Sequence, residues 1–260
     1  MKIRQYVIDA FATGPFTGNP AAVCLLDDWL PDQLMQSIAS ENNLAETAFV
    51  VKEKESFRIR WFTPAVEVDL CGHATLASAH AIYEFTNFKE EAIHFQSRSG
   101  LLTVKKMNGL LSLNFPTDEL KTSSLPEDSI AAIGGSPKEI YRGKTDYLVV
   151  YDTQSEIEKM SPDLRAVAKI QARGIIVTAP GENYDFVSRF FGPQCGVDED
   201  PVTGSAHTTL IPYWSKRLNK IEMKAKQLSK RGGELFCKHL GDRVEIAGKA
   251  VTFLQGEIEV

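Results

Sequence analysis

Three short stretches concentrate the residue types that move protons. Glu46 sits in "NLAETAFV" (43–50), Cys71, Gly72 and His73 adjoin in "DLCGHAT" (69–75), and Asp200, Gly204 and Ser205 share "DEDPVTGSAHT" (198–208). A carboxylate can take a proton from an activated C–H bond, and an imidazole can relay one near neutrality. Gly72 and Gly204 each stand where a loop gives way to a small-residue helical pattern. The first N–H groups of a helix have no partner inside it and together carry roughly half a positive charge, so such a start can receive a carboxylate or a developing oxyanion. Each of these residues also has an ordinary use: a solvated glutamate, a structural histidine, an aspartate in a turn before proline, a serine cap. His73 at a helix start is expected to be a neutral donor or relay, because the dipole disfavours its charged form.

The elements that must position these groups read as α+β, rich in antiparallel strands. Strand patterns run through 6–11, 57–63, 146–152, 173–179, 184–191 and the pair in 243–254. The run 101–115 divides at Asn108-Gly109, a strong hairpin signal. Helices are predicted over 31–41, 73–85, 161–171 and 204–218, the third opened by Ser161-Pro162 in the form of an N-cap and first-turn proline. Segments also recur: "RWFTP" (60–64) returns as "RFFGP" (189–193), "PDQL" (31–34) as "PDL" (162–164), and "GHAT" (72–75) as "GSAHT" (204–208). The near-constant spacing of about half the chain predicts a duplicated unit. The boundary is placed at 118 within the Pro-, Ser- and Thr-rich stretch 114–128, giving halves 1–118 and 119–260.

Composition narrows the function. The chain has 260 residues, 43% hydrophobic and 24% charged, enough for substantial cores and too apolar for disorder. A net charge of -5 argues against general binding to nucleic acid or an anionic membrane, and the basic run "KAKQLSKR" (224–231) reads as solvated surface. The first residues carry no signal-peptide pattern and no long apolar window occurs, so a cytoplasmic protein is expected. Cys24, Cys71, Cys195 and Cys237 form no C-x-x-C pair and no zinc-like spacing with the five histidines, so neither disulfides nor a structural metal is expected. No phosphate-binding glycine loop is present.

The segments "FTGNPAAV" (16–23), "NLAETAFV" (43–50), "RWFTPAVEVDLCGHATLASA" (60–79) and "DEDPVTGSAHTTL" (198–210) resemble the PhzF family of phenazine-biosynthesis-type isomerases. The resemblance implies a diaminopimelate-epimerase-like fold of two pseudo-symmetric halves, each a barrel-like sheet around a central helix, with the active site in the cleft between them. It implies Glu46 as general base, catalytic roles for His73, Asp200 and Ser205, substrate binding at Gly72 and Gly204, and a supporting role for Asn19. A base of this type needs a pKa raised from about 4.3, and burial against Leu44 and Phe49 is expected to raise it. No cofactor, a small-molecule carboxylate substrate and a homodimer are implied as well. The family's known reaction is a proton shift in trans-2,3-dihydro-3-hydroxyanthranilate, and that substrate does not transfer with the motifs. In the two-thiol racemases of the same fold, Cys71 stands where the first thiol would be. The corresponding place near Pro201-Val202 has no sulfur, so Cys71 is expected only to fill space. The expected activity is an isomerisation by proton transfer. An epimerase or racemase of a small amino or hydroxy acid, and a non-catalytic small-molecule-binding protein of this fold, are the alternatives.

Overall fold

In the computed structural model, which describes residues 1–260, the opening alternation of the chain becomes β1 (Lys2–Ala10), followed by β2 (Asn19–Leu26), β3 (Glu46–Glu53) and β4 (Ser56–Phe62). β1 and β2 are antiparallel, β2 and β3 parallel, β3 and β4 antiparallel. β4 then pairs in parallel with Ala92–Ser97, which pairs antiparallel with Gly100–Met107. Parallel neighbours need a crossover, and helices supply both: α1 (Asp32–Asn42) between β2 and β3, and α2 (Gly72–Phe85) between β4 and Ala92–Ser97. α2 is built from small residues and is buried from His73 to Ala79 and again at Ala81 and Ile82. It packs on β1, β2 and β3 and also on Gly100–Met107 and Ala250–Glu259, strands far apart in the pairing order. The sheet therefore curls around the helix.

Residues 115–246 repeat this order. Glu139–Arg142 and Tyr147–Val150 are antiparallel, and Tyr147–Val150 runs parallel to Ile175–Pro180. Ile175–Pro180 is antiparallel to Phe186–Phe191, which runs parallel to Glu222–Gln227, and that strand is antiparallel to Gly233–His239. After α3 (Glu127–Ile133), the first crossover carries α4 (Gln154–Lys159) and α5 (Leu164–Val167), and the second carries α6 (Gly204–Leu218). The duplication expected from the repeated motifs is thus present as a repeated strand order. It reaches single side chains. Arg60 forks onto Glu67 with bonds of 2.7 and 2.8 Å and lies 5.2 Å from the Phe62 ring centre. Arg189 forks onto Glu199 with bonds of 2.6 and 3.0 Å and lies 4.9 Å from that of Phe191. Each bidentate pair fastens the end of a strand to the acidic loop that leads to a glycine-opened helix.

The division of the chain differs from two contiguous halves. One compact unit is residues 1–114 with 247–260, and the other is 115–246. Residues 247–260 join the first unit because Ala250–Glu259 pairs along the whole of β1, with one register shift between Val7 and Ile8. The helix expected over 161–171 is also shorter. α5 spans Leu164–Val167, and its cap is Asp163, whose carboxylate accepts from the N–H groups of Arg165 and Ala166, rather than Ser161. α3 and α4 were not foreseen; the Thr153–Glu156 capping box that opens α4 was legible as T-x-x-E. The hairpin at Asn108-Gly109 is present, both residues having positive φ. No helix is long and apolar enough to cross a membrane.

Candidate active site

In the first unit, Asn19, Glu46, Cys71 and His73 come together. Gly18 has φ +76°, and a Cβ there would lie 2.4 Å from the Ala10 carbonyl oxygen, so the turn between β1 and β2 requires glycine just before Asn19. Glu46 opens β3 opposite Ala21 of β2. His73 follows Gly72 in the first turn of α2, for which Cys71 is the N-cap, and it is buried. Its Nδ1 is 3.4 Å from Asn19 Nδ2 and 3.5 Å from Cys71 Sγ. Its Nε2 is 3.2 Å from Glu46 Oε2. That contact is at ion-pair distance but is poorly aligned for a hydrogen bond, and neither buried atom makes a directed bond to another group.

The electrostatics correct two expectations. Burial acts to raise the Glu46 carboxyl, as predicted, but the charge of His73, with His73 and Cys71 as close polar neighbours, outweighs it and holds the pKa below the usual 4.5. Burial likewise acts to depress His73, and Cys71, an acceptor beside Nδ1, together with the Glu46 carboxylate beside Nε2 outweighs that and draws it above 6.5. Both directions favour a carboxylate beside an imidazolium over a raised carboxyl beside a neutral ring. Close opposite charge at low dielectric exceeds the helix-dipole effect, which amounts to about 0.3–1 kcal/mol at ordinary helix ends. The Cys71 sulfur, expected only to fill space, also lies 3.5 Å from the His73 ring. Burial, and then the charge of Glu46, push its thiol up and keep it protonated.

One donor atom each from Glu46, Cys71 and His73 falls within 4.8 Å of the others, close enough for the three to be metal ligands. The ring, however, meets Cys71 through Nδ1 and Glu46 through Nε2, so the two neighbours address different nitrogens. That arrangement suits passing protons through the ring better than gripping one ion.

In the second unit, Asp200, Gly204 and Ser205 lie around the start of α6. Thr203 is its N-cap, and its hydroxyl donates to Asp200 Oδ2 instead of capping the helix. Gln227, fully buried, locks this turn: its Oε1 accepts from Thr203 N–H at 2.9 Å, and its Nε2 donates to the Asp200 carbonyl at 2.8 Å. A Cβ on Gly204 would meet nothing within 4 Å, so the helix start opens on free space. Ser205 is exposed and inside the helix rather than at its cap, and its Oγ accepts from Arg173 Nη1 at 3.0 Å. His207, one turn further, is buried with Nδ1 2.9 Å from the Thr203 carbonyl oxygen, and burial depresses it to about 4.

Of the seven residues named from sequence, Asn19, Glu46, Gly72 and His73 belong to the first cluster and Asp200, Gly204 and Ser205 to the second. Sequence reasoning missed the contact of Cys71 with His73, and also Gln227 and Arg173. The last two carried no local signal, since both sit in segments legible only as strand edge or surface.

The comparisons agree with this architecture. The family model for phenazine biosynthesis-like proteins matches residues 8–256. An uncharacterised isomerase of Pseudomonas aeruginosa is 50% identical over the whole of both chains. A crystal structure of a PhzF-family phenazine biosynthesis protein from Enterococcus faecalis superposes with a TM-score of 0.98 at 46% identity, covering 100% of each chain. A hydroxyproline epimerase from Agrobacterium vitis shares the fold, with a TM-score of 0.60 at 8% identity, covering 99% of this chain and 92% of its own.

Proposed function

The chain belongs to the phenazine biosynthesis-like, PhzF-type family, and from that premise we propose that it is an isomerase that moves a carbon-bound proton on a small carboxylic or amino-acid-like substrate, with Glu46 as general base. The isomerase class follows from the family and from relatives that carry that name. The assignment of Glu46 is carried by one observation: Glu46 Oε2 and His73 Nε2 are buried 3.2 Å apart, and neither has a directed hydrogen bond. Leaving such atoms unsatisfied costs about 1–3 kcal/mol each, a cost that a structural pair would have no reason to retain.

In this reading the Glu46 carboxylate accepts the proton from an activated carbon and returns it to another carbon on the same face. The His73 imidazolium keeps Glu46 ionised in the resting enzyme. It also weakens the base, so basicity rises when substrate draws the imidazolium's hydrogen bonds to itself. The protonated Cys71 thiol is a neighbour of the ring and not the base. Asp200, Gly204 and Ser205 are proposed to bind and polarise the acceptor group of the substrate through helix-start donors.

Proton exchange in heavy water, followed by NMR over a panel of small amino, hydroxy and unsaturated carboxylic acids, tests the proposal. The expected result is deuterium incorporation with a shifted double bond in at least one acid, lowered about 10²–10⁴-fold in Glu46→Gln. Incorporation with inversion and no shift would favour the epimerase reading. Equal incorporation by the two proteins would remove Glu46 from its role.

A further inference from the structure

Arg173 precedes the strand Ile175–Pro180, and its guanidinium is spent in an unusual way for a residue whose side chain is 36% exposed. Nε donates to Asp146 Oδ1 at 2.9 Å, and Nη2 donates to Asp146 Oδ2. Asp146 is buried, 2% exposed, and the Arg173 backbone N–H is itself tied to the Thr145 carbonyl oxygen at 2.9 Å. The guanidinium also lies 5.4 Å from the Phe190 ring centre. One edge of the fork and one face are therefore fixed, and the remaining arm, Nη1, is aimed at Ser205 Oγ, 3.0 Å away.

A serine hydroxyl has one proton to give and two lone pairs to receive. At Ser205 a lone pair is taken by Arg173, and the protein offers no acceptor for the proton. Thr203, rather than Ser205, occupies the cap position, and Ser205 has only backbone dealings with its own helix, its carbonyl oxygen accepting from the Thr208 hydroxyl at 2.8 Å. We infer that Arg173 is a positioning residue for Ser205, orienting its hydroxyl as a donor toward an acceptor oxygen presented at the start of α6. The substrate class this specifies is one with a carboxylate or an enolisable carbonyl whose oxygen gains charge during reaction. The inference rests on the proposal that Ser205 binds substrate. The clamp by Asp146 matters because it neutralises the guanidinium without using Nη1. The arginine therefore supplies direction and a local field at Ser205 while adding little net charge to the unit.

The first test needs no substrate. In a Cys195→Ser background, which removes the one exposed native thiol, Ser205→Cys places a thiol where Arg173 points. Its reaction with iodoacetamide is then followed against pH. The thiolate should form below the ordinary range of about 8.5 and react about tenfold more slowly at pH 7 once Arg173 is changed to Gln. Because Arg173→Gln alone leaves Asp146 buried without its partner, the paired change Asp146→Asn with Arg173→Gln serves as the second variant and should show the same slowing. A thiol whose reactivity is unmoved in both variants overturns the inference.

The second test uses any acid that exchanges in the heavy-water panel. Arg173→Lys keeps charge beside Asp146 and loses the planar fork, so it should raise KM several-fold with a smaller effect on kcat. Its effect should largely vanish in a Ser205→Ala background, which is the signature of acting through Ser205. Additive losses would contradict it. A panel with no exchanging acid would count against the proposed reaction and leave the thiol result to decide this one.

Discussion

At the start of α2 the residue after the glycine is His73, buried against a carboxylate and a thiol; at the start of α6 it is Ser205, exposed and held by an arginine. The backbone device is the same in the two units and the strand order around it is repeated, yet the chemistry diverges. The first start gathers groups that gain and lose protons. The second gathers hydroxyl and amide groups around one carboxylate, Asp200, which accepts from Thr203. The two buried histidines sharpen the contrast. His73 faces a carboxylate and its pKa is drawn up, whereas His207 faces a carbonyl and burial draws its pKa down. Burial alone therefore does not set a histidine's state; the partner does. Duplication has supplied two equivalent frames, and in the proposed function the residues beside each glycine give proton transfer to one and orientation to the other.

The largest effect that would break this division is at His73. His73→Ala should lower turnover about a hundredfold or more, because it removes a donor that strengthens as charge develops, whereas His207→Gln should leave turnover within a few-fold. Equal losses would erase the distinction. The pH profile comes next. Turnover should rise as Glu46 ionises below pH 4.5 and fall only when His73 loses its proton well above pH 6.5, leaving a broad neutral plateau. A single rise centred near neutrality would show instead that Glu46 is a raised carboxyl.

Stability provides a third comparison. The folded pKa of His207, about 4, lies below its usual 6.5, so its contribution is full above pH 6.5 and is lost as pH falls toward 4, to the extent of about 3 kcal/mol. Urea denaturation across that window should show this loss, and His207→Gln should flatten it. The smallest effect is at Cys71. Cys71→Ala should cost about 1 kcal/mol of stability and change turnover by less than about tenfold. Abolished turnover there, with iodoacetamide inactivation that substrate prevents, would return the chain to thiol chemistry.

Much of the candidate site was legible because its residues lie in short local motifs: the glycines that open α2 and α6, the histidine and serine after them, Asp200 shortly before Gly204, and Glu46 in its own motif. The repeat was legible because the duplicated frame kept the arginine, proline and glycine that fasten it. What stayed hidden depends on contacts between distant residues. The direction of the Glu46 and His73 shifts is set by a distance of 3.2 Å between a strand and a helix, and the sequence carries only their types. Asp146 meets Arg173 because the strands that follow them, Tyr147–Val150 and Ile175–Pro180, pair in parallel with Tyr147 beside Ile175. The return of residues 250–259 to β1 likewise follows from a partner at the opposite end of the chain.

The central claim is that the resting site is an ion pair, with Glu46 ionised and His73 protonated. Nitrogen-15 NMR of the His73 ring, titrated from pH 5 to 9 in the wild type and in Glu46→Gln, tests it without any substrate. The account predicts both ring nitrogens protonated at pH 7 in the wild type. In Glu46→Gln the ring should lose its proton at a markedly lower pH, because the carboxylate that holds it has gone. A ring already neutral at pH 7 in the wild type, with a titration unchanged by Glu46→Gln, would contradict it.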